Sequence, residues 1–439
     1  PLRLFLRGRE IGSKRALHVL HIGKYYPPFA GGLEHFLADL LPALRTHDVA
    51  AAALVHDEQP RRWGGQWPST SGSSLPKEQE ETPIYRAPCF GRLLYAPISP
   101  AFPVWLNRTI RAFRPDLLHL HLPNTSAFWA MAIPAARRLP WIVHWHADVV
   151  ASAIDQRLAL AYRLYRPFEQ RLLAASRAVI ATSPPYLEAS TALASWRERC
   201  HIVPLGLNPA RIADPDPAAR TRAESLWGTT GFRVLAIGRL TYYKGHDVLI
   251  RAAANLENSR VLIVGTGEHR ERLAALIQSA GLGERVRLPG FQPEADLNAL
   301  LASCDVLCLP SLERTEAFGL VLLEAMRFGK PVVVSDIPGS GAGWVTRQAG
   351  HGLLVPPGDA AALAAALRAL QHDPDQRRTL GRAGAAALRE QFGIEPVAAA
   401  VAALYRRVLA PARLSPPLPS RAHGVGSKGR GMKHRQHPE

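Results

Sequence analysis

The stretch DVLCLPSLERTEAFGLVLLEAMRFGKPVVVSD, residues 305–336, decides the fold class. Apolar runs near its two ends predict short buried strands, and the apolar residues between 318 and 328 recur at helical spacing. A strand, a loop, a helix and a second strand in this order build one unit of a parallel sheet, because parallel neighbours need a crossover connection. The stretch therefore predicts an α/β fold.

The same alternation continues along the chain in both directions. It starts at ALHVLHIG (16–23) and starts again at FRVLAIGRL (232–240), after a segment rich in Pro, Asp and Gly. A chain of 439 residues is also too long for one ordinary domain. We therefore predict two doubly wound parallel-sheet domains of similar size. The predicted division is an N-terminal extension (1–15), a first domain (16–207), a connection (208–231), a second domain (232–394), a late amphipathic helix (395–410) and a disordered basic tail (411–439).

Composition narrows the class of protein. The chain is 47% hydrophobic and 20% charged, which is typical of a globular enzyme, and no apolar run reaches the roughly 18 residues of a membrane span. Four cysteines without a C-x-x-C pair favour a reducing, cytoplasmic location. The net charge of +17 favours acidic partners such as nucleic acid, anionic lipid or phosphorylated substrates. Nucleic acid is disfavoured, because aromatic residues do not alternate with the basic ones and no DNA-binding motif is present.

Two glutamates in the opening stretch call for a ligand. Glu316 lies in the loop at the carboxyl end of the first predicted strand, where ligands of open α/β sheets bind. Glu324 lies about one turn along the following helix, among Val, Leu and Met. A charge buried there costs several kcal/mol unless it is paired or hydrogen-bonded. We expect a hydroxyl-rich ligand to supply those hydrogen bonds.

Other loops after predicted strands carry further candidates. Gly31 and Gly32 precede a helix, where backbone N–H groups bind an anion, although a plain turn explains them equally well. Arg239 and Lys244, in GRLTYYKG, suit a diphosphate, and the alternative is a solvated surface pair. The segment LIVGTGEHR lacks the third glycine of a dinucleotide fingerprint, so that function is disfavoured.

The segment HWHADVV places His144 and His146 at a strand end, with Asp148 in the loop that follows. Two histidines at this spacing raise the possibility of zinc, but the sequence offers no third ligand nearby. Hydrogen bonding to substrate or backbone is therefore favoured over a metal.

In combination, the glutamates with seven residues between them, the G-R-L…K-G loop, the Gly-Gly loop and the H-x-D segment resemble retaining glycosyltransferases of family 4. The resemblance covers residues 16 to about 410. It implies the GT-B fold, in which two Rossmann-like domains face each other across a cleft and the last helix crosses back onto the first domain. The first domain would bind the acceptor and the second the nucleotide sugar.

The resemblance also implies roles for individual residues. Arg239 and Lys244 would hold the donor's diphosphate, Glu324 the ribose hydroxyls and Glu316 the hydroxyls of the transferred sugar, with His146 near the reacting carbon. The catalytic set is thus His146, Arg239, Lys244 and Glu316. The remaining residues implied in substrate binding are Gly31, Gly32, Asp148, Gly238, Phe291, Phe318, Gly319, Leu320 and Glu324.

The resemblance further implies transfer with retention of anomeric configuration, without a protein nucleophile, a metal or another cofactor. The variant IPGSGAGWV (337–345), which lacks the glutamate of many relatives, is most similar to bacterial mannosyl- or rhamnosyltransferases of surface-polysaccharide assembly. A GDP-linked sugar is favoured. Alternatives are a UDP-sugar-dependent glycosyltransferase, or a sugar-nucleotide binding protein or epimerase that does not transfer.

Such pathways imply a lipid-linked glycan acceptor, which gives the basic excess a purpose. Arginines spread along a helix-like stretch with Leu, Tyr and Phe, as in a helix that lies on an anionic membrane. A packed helix with solvated arginines explains them as well. We expect a cytoplasmic protein at the inner face of the cell membrane. The arginines in question are Arg157, Arg163, Arg166 and Arg171.

Overall fold

The structure is a computed structural model that describes residues 16–29, 31–57, 82–93, 96–149, 156–228 and 231–410. The predicted N-terminal extension (1–15) and basic tail (411–439) lie outside the described residues. Within the described residues, two parallel sheets with helices on their faces account for most of the chain, as the alternating pattern predicts.

The first sheet has the strand order β3-β2-β1-β6-β7-β8-β9, and neighbouring strands are parallel. Its strands are buried apolar runs, as expected for a sheet covered on both faces. A small antiparallel pair, β4 with β5, lies outside it. The bounds are β1 Leu17–Ile22, β2 Val49–His56, β3 Ile84–Ala87, β4 Arg92–Leu93, β5 Ala96–Pro97, β6 Leu117–Leu122, β7 Trp141–Trp145, β8 Ala178–Ala181 and β9 Cys200–Ile202.

The second sheet has the order β12-β11-β10-β13-β14-β15, also parallel. Counted along its own half, this is the order 3-2-1-4-5-6 of a Rossmann domain, with the reversal between β10 and β13. The opening stretch of the sequence forms β13, a helix and β14. The bounds are β10 Phe232–Ile237, β11 Ser259–Val264, β12 Val286–Gly290, β13 Val306–Leu309, β14 Val332–Ser335 and β15 Gly352–Val355.

Helices connect the strands and cover the sheets. Several begin at a capping side chain: Ser183, Asp216 and Asp359 each accept a hydrogen bond from a backbone N–H of the first turn. The bounds are α1 Gly32–Ala43, α2 Phe102–Phe113, α3 Pro134–Arg137, α4 Gln156–Ala175, α5 Pro184–Ala189, α6 Pro217–Trp227, α7 His246–Ala253, α8 Arg270–Ser279, α9 Glu294–Ser303, α10 Leu320–Arg327, α11 Gly341–Ala349, α12 Ala360–His372, α13 Pro374–Ala387 and α14 Ile394–Leu409.

The last helix, α14, crosses back and packs on the first domain. Tyr405 is fully buried and contacts His119 of β6, and Arg406 donates a hydrogen bond to the carbonyl of His47, which follows α1. One hydrophobic core therefore runs through both domains, from Val19 and Phe36 to Leu323 and Val401. The segment 208–231, which the sequence indicates as a connection, contains helix α6, and Trp227 at its end is 1% exposed.

Both sheets reverse their strand order at their first strand, and this positions the site. In open α/β sheets, ligands bind outside the carboxyl ends of the strands at that reversal. In the first sheet these ends belong to β1 and β6, and in the second to β10 and β13. The loops that follow them carry most of the candidate residues chosen from the sequence.

Candidate active site

A cleft of about 510 Å³ lies between the two domains. Its volume is in the range of small-molecule sites. Residues of both domains line it, so a bound molecule contacts both at once. The candidate residues that line the cleft are Gly31, Gly32, His146, Gly238, Arg239, Lys244, Phe291, Glu316, Phe318, Gly319, Leu320 and Glu324.

Lys244 and Glu316 form an ion pair at the floor of the cleft. The Lys244 Nζ lies 2.5 Å from the Glu316 Oε2, which also accepts a hydrogen bond from Ser311 at 3.1 Å. Burial opposes the charge on Lys244, but the charge and hydrogen bond of Glu316 together with Tyr243 outweigh it, and the pKa of Lys244 is raised. The ammonium group is therefore held charged in a buried site, ready to bind an anion.

The turn that carries Lys244 depends on glycine. Gly245 has φ of 63°, and a Cβ there would lie 2.0 Å from the carbonyl oxygen of Pro310. The Lys244 chain in turn lies over Gly238, where a Cβ would be 3.3 Å from its Nζ. The two glycines allow the loop after β10 to place the Lys244 side chain against Glu316.

Glu324 is half-buried one turn into α10. Gly319 starts this helix with φ of 80°, which leaves the backbone N–H groups of the first turn at the cleft. Desolvation raises the pKa of Glu324 to about 7, with smaller and partly cancelling effects from nearby charges. Within the described part of the chain, no hydrogen bond or ion pair satisfies its carboxyl group. A ligand with hydroxyl groups would donate to Glu324 the hydrogen bonds that the protein does not.

Asp148 lies outside the lining of the cleft and is occupied by protein groups. Its Oδ1 accepts hydrogen bonds from Trp145 at 2.8 Å and Ser190 at 2.7 Å, and its Oδ2 pairs with Arg314 of the second domain at 2.6 Å. Arg314 also lies over the ring of Tyr186, 4.8 Å from its centroid. Asp148 thus joins the two domains, and a direct contact with substrate stays a prediction. Sequence reasoning missed Arg314, because the partners are 166 positions apart.

Five buried histidines share one face of the first sheet, between β1, β6 and β7 on one side and α1 and α14 on the other. Pairing places His21 beside His119 and His121 beside His144. The expectation that no third ligand lies near His144 and His146 was wrong, since His121 lies within reach of both. His121 lies on the neighbouring strand, 23 positions before His144 and 25 before His146, so strand order was needed to find it.

The ring geometry is that of hydrogen-bonded imidazoles. His121 Nδ1 and His146 Nε2 are 2.8 Å apart, and the two rings are inclined by only 8°. A zinc ion needs about 2.0–2.1 Å to each nitrogen, so it does not fit on the line between them. Burial lowers the pKa of all five histidines, that of His121 to about 3. The cluster is therefore uncharged at neutral pH.

Lys24 and Glu34 are two residues of the cleft region that sequence reasoning missed. Together with His146 they line a small cavity beside the main cleft. Burial lowers the pKa of Lys24 and raises that of Glu34, and each charge opposes the shift of the other. Lys24 lies two residues after the end of β1, so the rule that selected Gly31 and Gly32 could also have found it.

Comparison with known proteins agrees with this geometry. The family described as "Glycosyl transferase 4-like domain" matches residues 31–206, and "Glycosyl transferases group 1" matches residues 218–387. The chain is similar to D-rhamnosyltransferase WbpZ of Pseudomonas aeruginosa, with 36% identity over 58% of this chain and 64% of that protein. It is 26% identical to O-antigen chain mannosyltransferase C of Escherichia coli, over 90% of this chain and 99% of that protein.

A solved structure supports the fold. Sucrose-phosphate synthase of Thermosynechococcus elongatus superimposes with a TM-score of 0.70 at 25% identity, over 90% of this chain and 99% of that one. The two matched families divide the chain at the boundary between the two sheets, and the cleft lies where their strand ends meet. The chain therefore belongs to the group 1 glycosyl transferases and is a glycosyltransferase with the GT-B fold, as the resemblance to family 4 predicted.

Proposed function

We propose that this protein is a retaining glycosyltransferase that moves a hexose, with mannose or rhamnose favoured, from a GDP-sugar to a lipid-linked glycan in surface-polysaccharide synthesis. One observation carries the proposal: a buried cation and two carboxyl groups, from Lys244, Glu316 and Glu324, line one cleft at the strand reversals of two Rossmann domains. A diphosphate, a sugar and a ribose are the three parts of a nucleotide sugar that these groups suit. The names of the relatives favour the sugar and the pathway.

Positively charged groups of the cleft would stabilise a diphosphate as the leaving group. In the transition state negative charge grows on the leaving oxygen, and preorganised cations in a dry site stabilise it strongly. Lys244 and Arg239 line the cleft together with the start of α10, whose free N–H groups favour an anion. With this positive charge in place, the leaving phosphate oxygen takes the proton of the attacking hydroxyl on the same face of the sugar. We propose that no divalent metal and no other cofactor take part.

The donor base would lie near Phe291. Phe291 is 66% exposed and lines the cleft beside β12, where backbone groups would contact the base. UDP-sugars share the diphosphate and ribose, so a UDP-dependent enzyme is the alternative. A protein that binds sugar nucleotides without transferring, or an epimerase, is a second alternative, and the intact Lys244–Glu316 pair argues against it.

Thermal stability can rank the nucleotides without knowledge of the acceptor. A ligand that binds only the folded state raises the free energy of unfolding by RT ln(1 + [L]/Kd), about 2.7 kcal/mol at a hundredfold excess over Kd. We expect GDP and GDP-mannose to raise the melting temperature more than UDP and UDP-glucose, with EDTA making no difference. A larger shift with UDP-sugars would reject the GDP assignment, and no shift with any nucleoside diphosphate would reject the glycosyl donor site itself.

The surface of α4 supports docking on a membrane that holds the acceptor. Three apolar side chains at i, i+4, i+8 spacing are exposed: Leu160 (62%), Leu164 (70%) and Phe168 (48%). Arg163 and Arg166 on the same helix are also exposed, as is Arg171, whereas the side chain of Arg157 lies outside the described residues. None of the described helices has the length and apolar content that crossing a membrane requires. We propose that α4 lies in the interface of an anionic membrane, at its cytoplasmic face.

Vesicle binding tests this surface. We expect the protein to sediment with vesicles of anionic lipid but not of neutral lipid, and to release as salt screens the attraction. The double variant Arg163→Glu and Arg166→Glu should lose most of this binding. Arg272→Glu with Arg382→Glu makes the same charge change at exposed sites of the second domain and should bind nearly as well as the wild type. Equal losses from the two pairs would show that net charge, and not α4, directs binding.

A further inference from the structure

The buried histidines and Tyr405 form one continuous hydrogen-bonded chain that ends in the cleft. Starting at the cleft, His146 Nε2 contacts His121 Nδ1 at 2.8 Å, and His121 Nε2 contacts His21 Nδ1 at 3.0 Å. His21 Nε2 contacts the Tyr405 hydroxyl at 3.3 Å, which contacts His119 Nδ1 at 2.5 Å. At the far end of this series, His119 Nε2 contacts the Nδ1 of His144 at 3.2 Å.

The hydrogen bonds in such a chain all have to run in compatible directions. A neutral imidazole carries one N–H, so a ring that accepts at one nitrogen donates from the other. All five rings are neutral, because burial lowers the pKa of each histidine. Whether the Tyr405 hydroxyl donates to His21 or accepts from it therefore sets the direction of the hydrogen bonds along His21, His121 and His146.

The two contacts of Tyr405 differ in length, and this assigns its proton. Hydrogen bonds with an O–H donor are about 2.5–3.0 Å long, whereas those with an N–H donor extend to about 3.2 Å. The contact with His119, at 2.5 Å, is shorter than N–H hydrogen bonds and fits Tyr405 as donor. The hydroxyl has only one proton, so the longer contact with His21, at 3.3 Å, can have only a ring N–H as donor. His21 then donates to Tyr405 through Nε2, and it must accept from His121 through Nδ1.

Following these donors and acceptors from Tyr405 toward the cleft gives the protonation state of His146. His121 donates through Nε2, so its Nδ1 accepts from the Nε2–H of His146. The Nδ1 of His146 then carries a lone pair and no proton. This atom is buried and has no hydrogen-bond partner among the described residues, and His146 lines the cleft.

We infer that Tyr405 is a positioning residue which, through His21 and His121, fixes His146 as a hydrogen-bond acceptor for a substrate hydroxyl in the cleft. The nature of that substrate, a sugar with free hydroxyls, rests on the proposed function. The inference explains why the helix that crosses back from the second domain places a tyrosine against three strands of the first. Formation of the acceptor state requires α14 to be docked, so the cleft is completed only in the assembled two-domain chain.

The protonation of His146 can be read directly by nitrogen NMR on the full-length protein with labelled histidine, with its signal assigned by its loss in His146→Gln. We expect the wild type to show a proton on Nε2 and none on Nδ1. Tyr405→Phe keeps the ring but removes the hydroxyl, which leaves His21 without a fixed partner and the three-histidine chain free to run either way. A fraction of His146 with a proton on Nδ1 should appear, and kcat should fall in proportion to that fraction, with donor KM within about twofold.

Leu404→Val is the matched control, because it trims a buried side chain on the same helix and carries no polar atom. It should lower the melting temperature while leaving kcat and the His146 signal unchanged. A proton on Nδ1 in the wild type, an unchanged signal in Tyr405→Phe, or an equal loss of kcat in Leu404→Val would each overturn the inference. The nitrogen signal needs no substrate, so it decides the inference even if transfer fails with every donor and the proposed function falls.

Discussion

Replacing Lys244 by alanine should lower kcat by roughly 100-fold or more, which corresponds to about 2.7 kcal/mol of transition-state stabilisation. Lys244 lies in the floor of the cleft and keeps its charge beside Glu316. Its interaction with a diphosphate strengthens as that group leaves, and an interaction made stronger in the transition state affects kcat more than KM. Steady-state rates with a fixed acceptor measure the change.

Two controls separate this effect from simple unfolding. Lys244→Ala leaves the buried carboxylate of Glu316 without its partner, so the melting temperature of the variant has to be compared with that of the double variant Lys244→Ala, Glu316→Gln, in which the unpaired charge is absent. Lys330→Ala removes a lysine of the same domain that does not line the cleft and should leave kcat unchanged. Near-normal turnover of a folded Lys244→Ala protein would remove this lysine from the reaction.

The sequence predicted the parallel-sheet architecture well where strands are strongly apolar. β1, β10, β13 and β14 all lie inside the apolar runs that start the two domains and flank the opening stretch, since VLCL and VVVS have the composition of doubly buried strands. Strand β2 was not predicted, because its sequence VAAAALVH is rich in alanine and has no strand signature of its own. Strand β15, which has only four residues, was not predicted either. Their place in the sheets comes from tertiary packing.

One rule about open α/β sheets predicted part of the site from the sequence. Loops at the carboxyl ends of strands hold ligands in open α/β sheets, and that rule selects Gly31, Lys244 and Glu316 from the sequence alone. Contacts between distant parts of the chain were not predictable in the same way. Tyr405 meets His119 across 286 positions, and no local pattern marks either residue as a partner of the other.

Asp148 shows that a sequence motif does not identify the hydrogen-bond partners of its side chains. Its place in an H-x-D segment resembles a substrate-binding position, yet its oxygens are engaged by Trp145, Ser190 and Arg314. A sequence motif locates a side chain near the cleft but does not say which neighbour occupies it. The ion pair between the two domains could be recognised only once both sheets were placed.

Replacing Glu324 should produce the second large effect, on donor binding. Charge-assisted hydrogen bonds contribute about 1.5–3 kcal/mol each, so Glu324→Ala should weaken nucleotide binding by roughly 10- to 100-fold. Donor KM should rise more than kcat falls, because contacts with a ribose are similar in the ground and transition states. A fall in kcat without a change in KM would show that the roles of Glu316 and Glu324 are exchanged.

Because the pKa of Glu324 is raised, its contact with the ribose can be tested by measuring proton release on ligand binding. Desolvation raises its pKa to about 7 in the free protein, and hydroxyl donors from a ribose stabilise the carboxylate, which lowers the pKa in the complex. Below pH 7 the free carboxyl group is mostly protonated and must lose its proton to bind. Binding should therefore release a proton near pH 6.5 and weaken as the pH falls, whereas above about pH 8 affinity should no longer depend on pH.

Calorimetry of GDP-mannose binding near pH 6.5, in two buffers of different ionisation enthalpy, tests the central claim most directly, because both phosphates of this ligand are esterified and have no proton to lose at this pH. The claim is that the cleft holds a nucleoside diphosphate with its ribose on Glu324. It predicts measurable binding with release of a fraction of one proton, and binding without proton release in Glu324→Gln, which resembles the protonated acid. Proton release that persists in Glu324→Gln, or the absence of binding with both GDP-mannose and UDP-glucose, would contradict it.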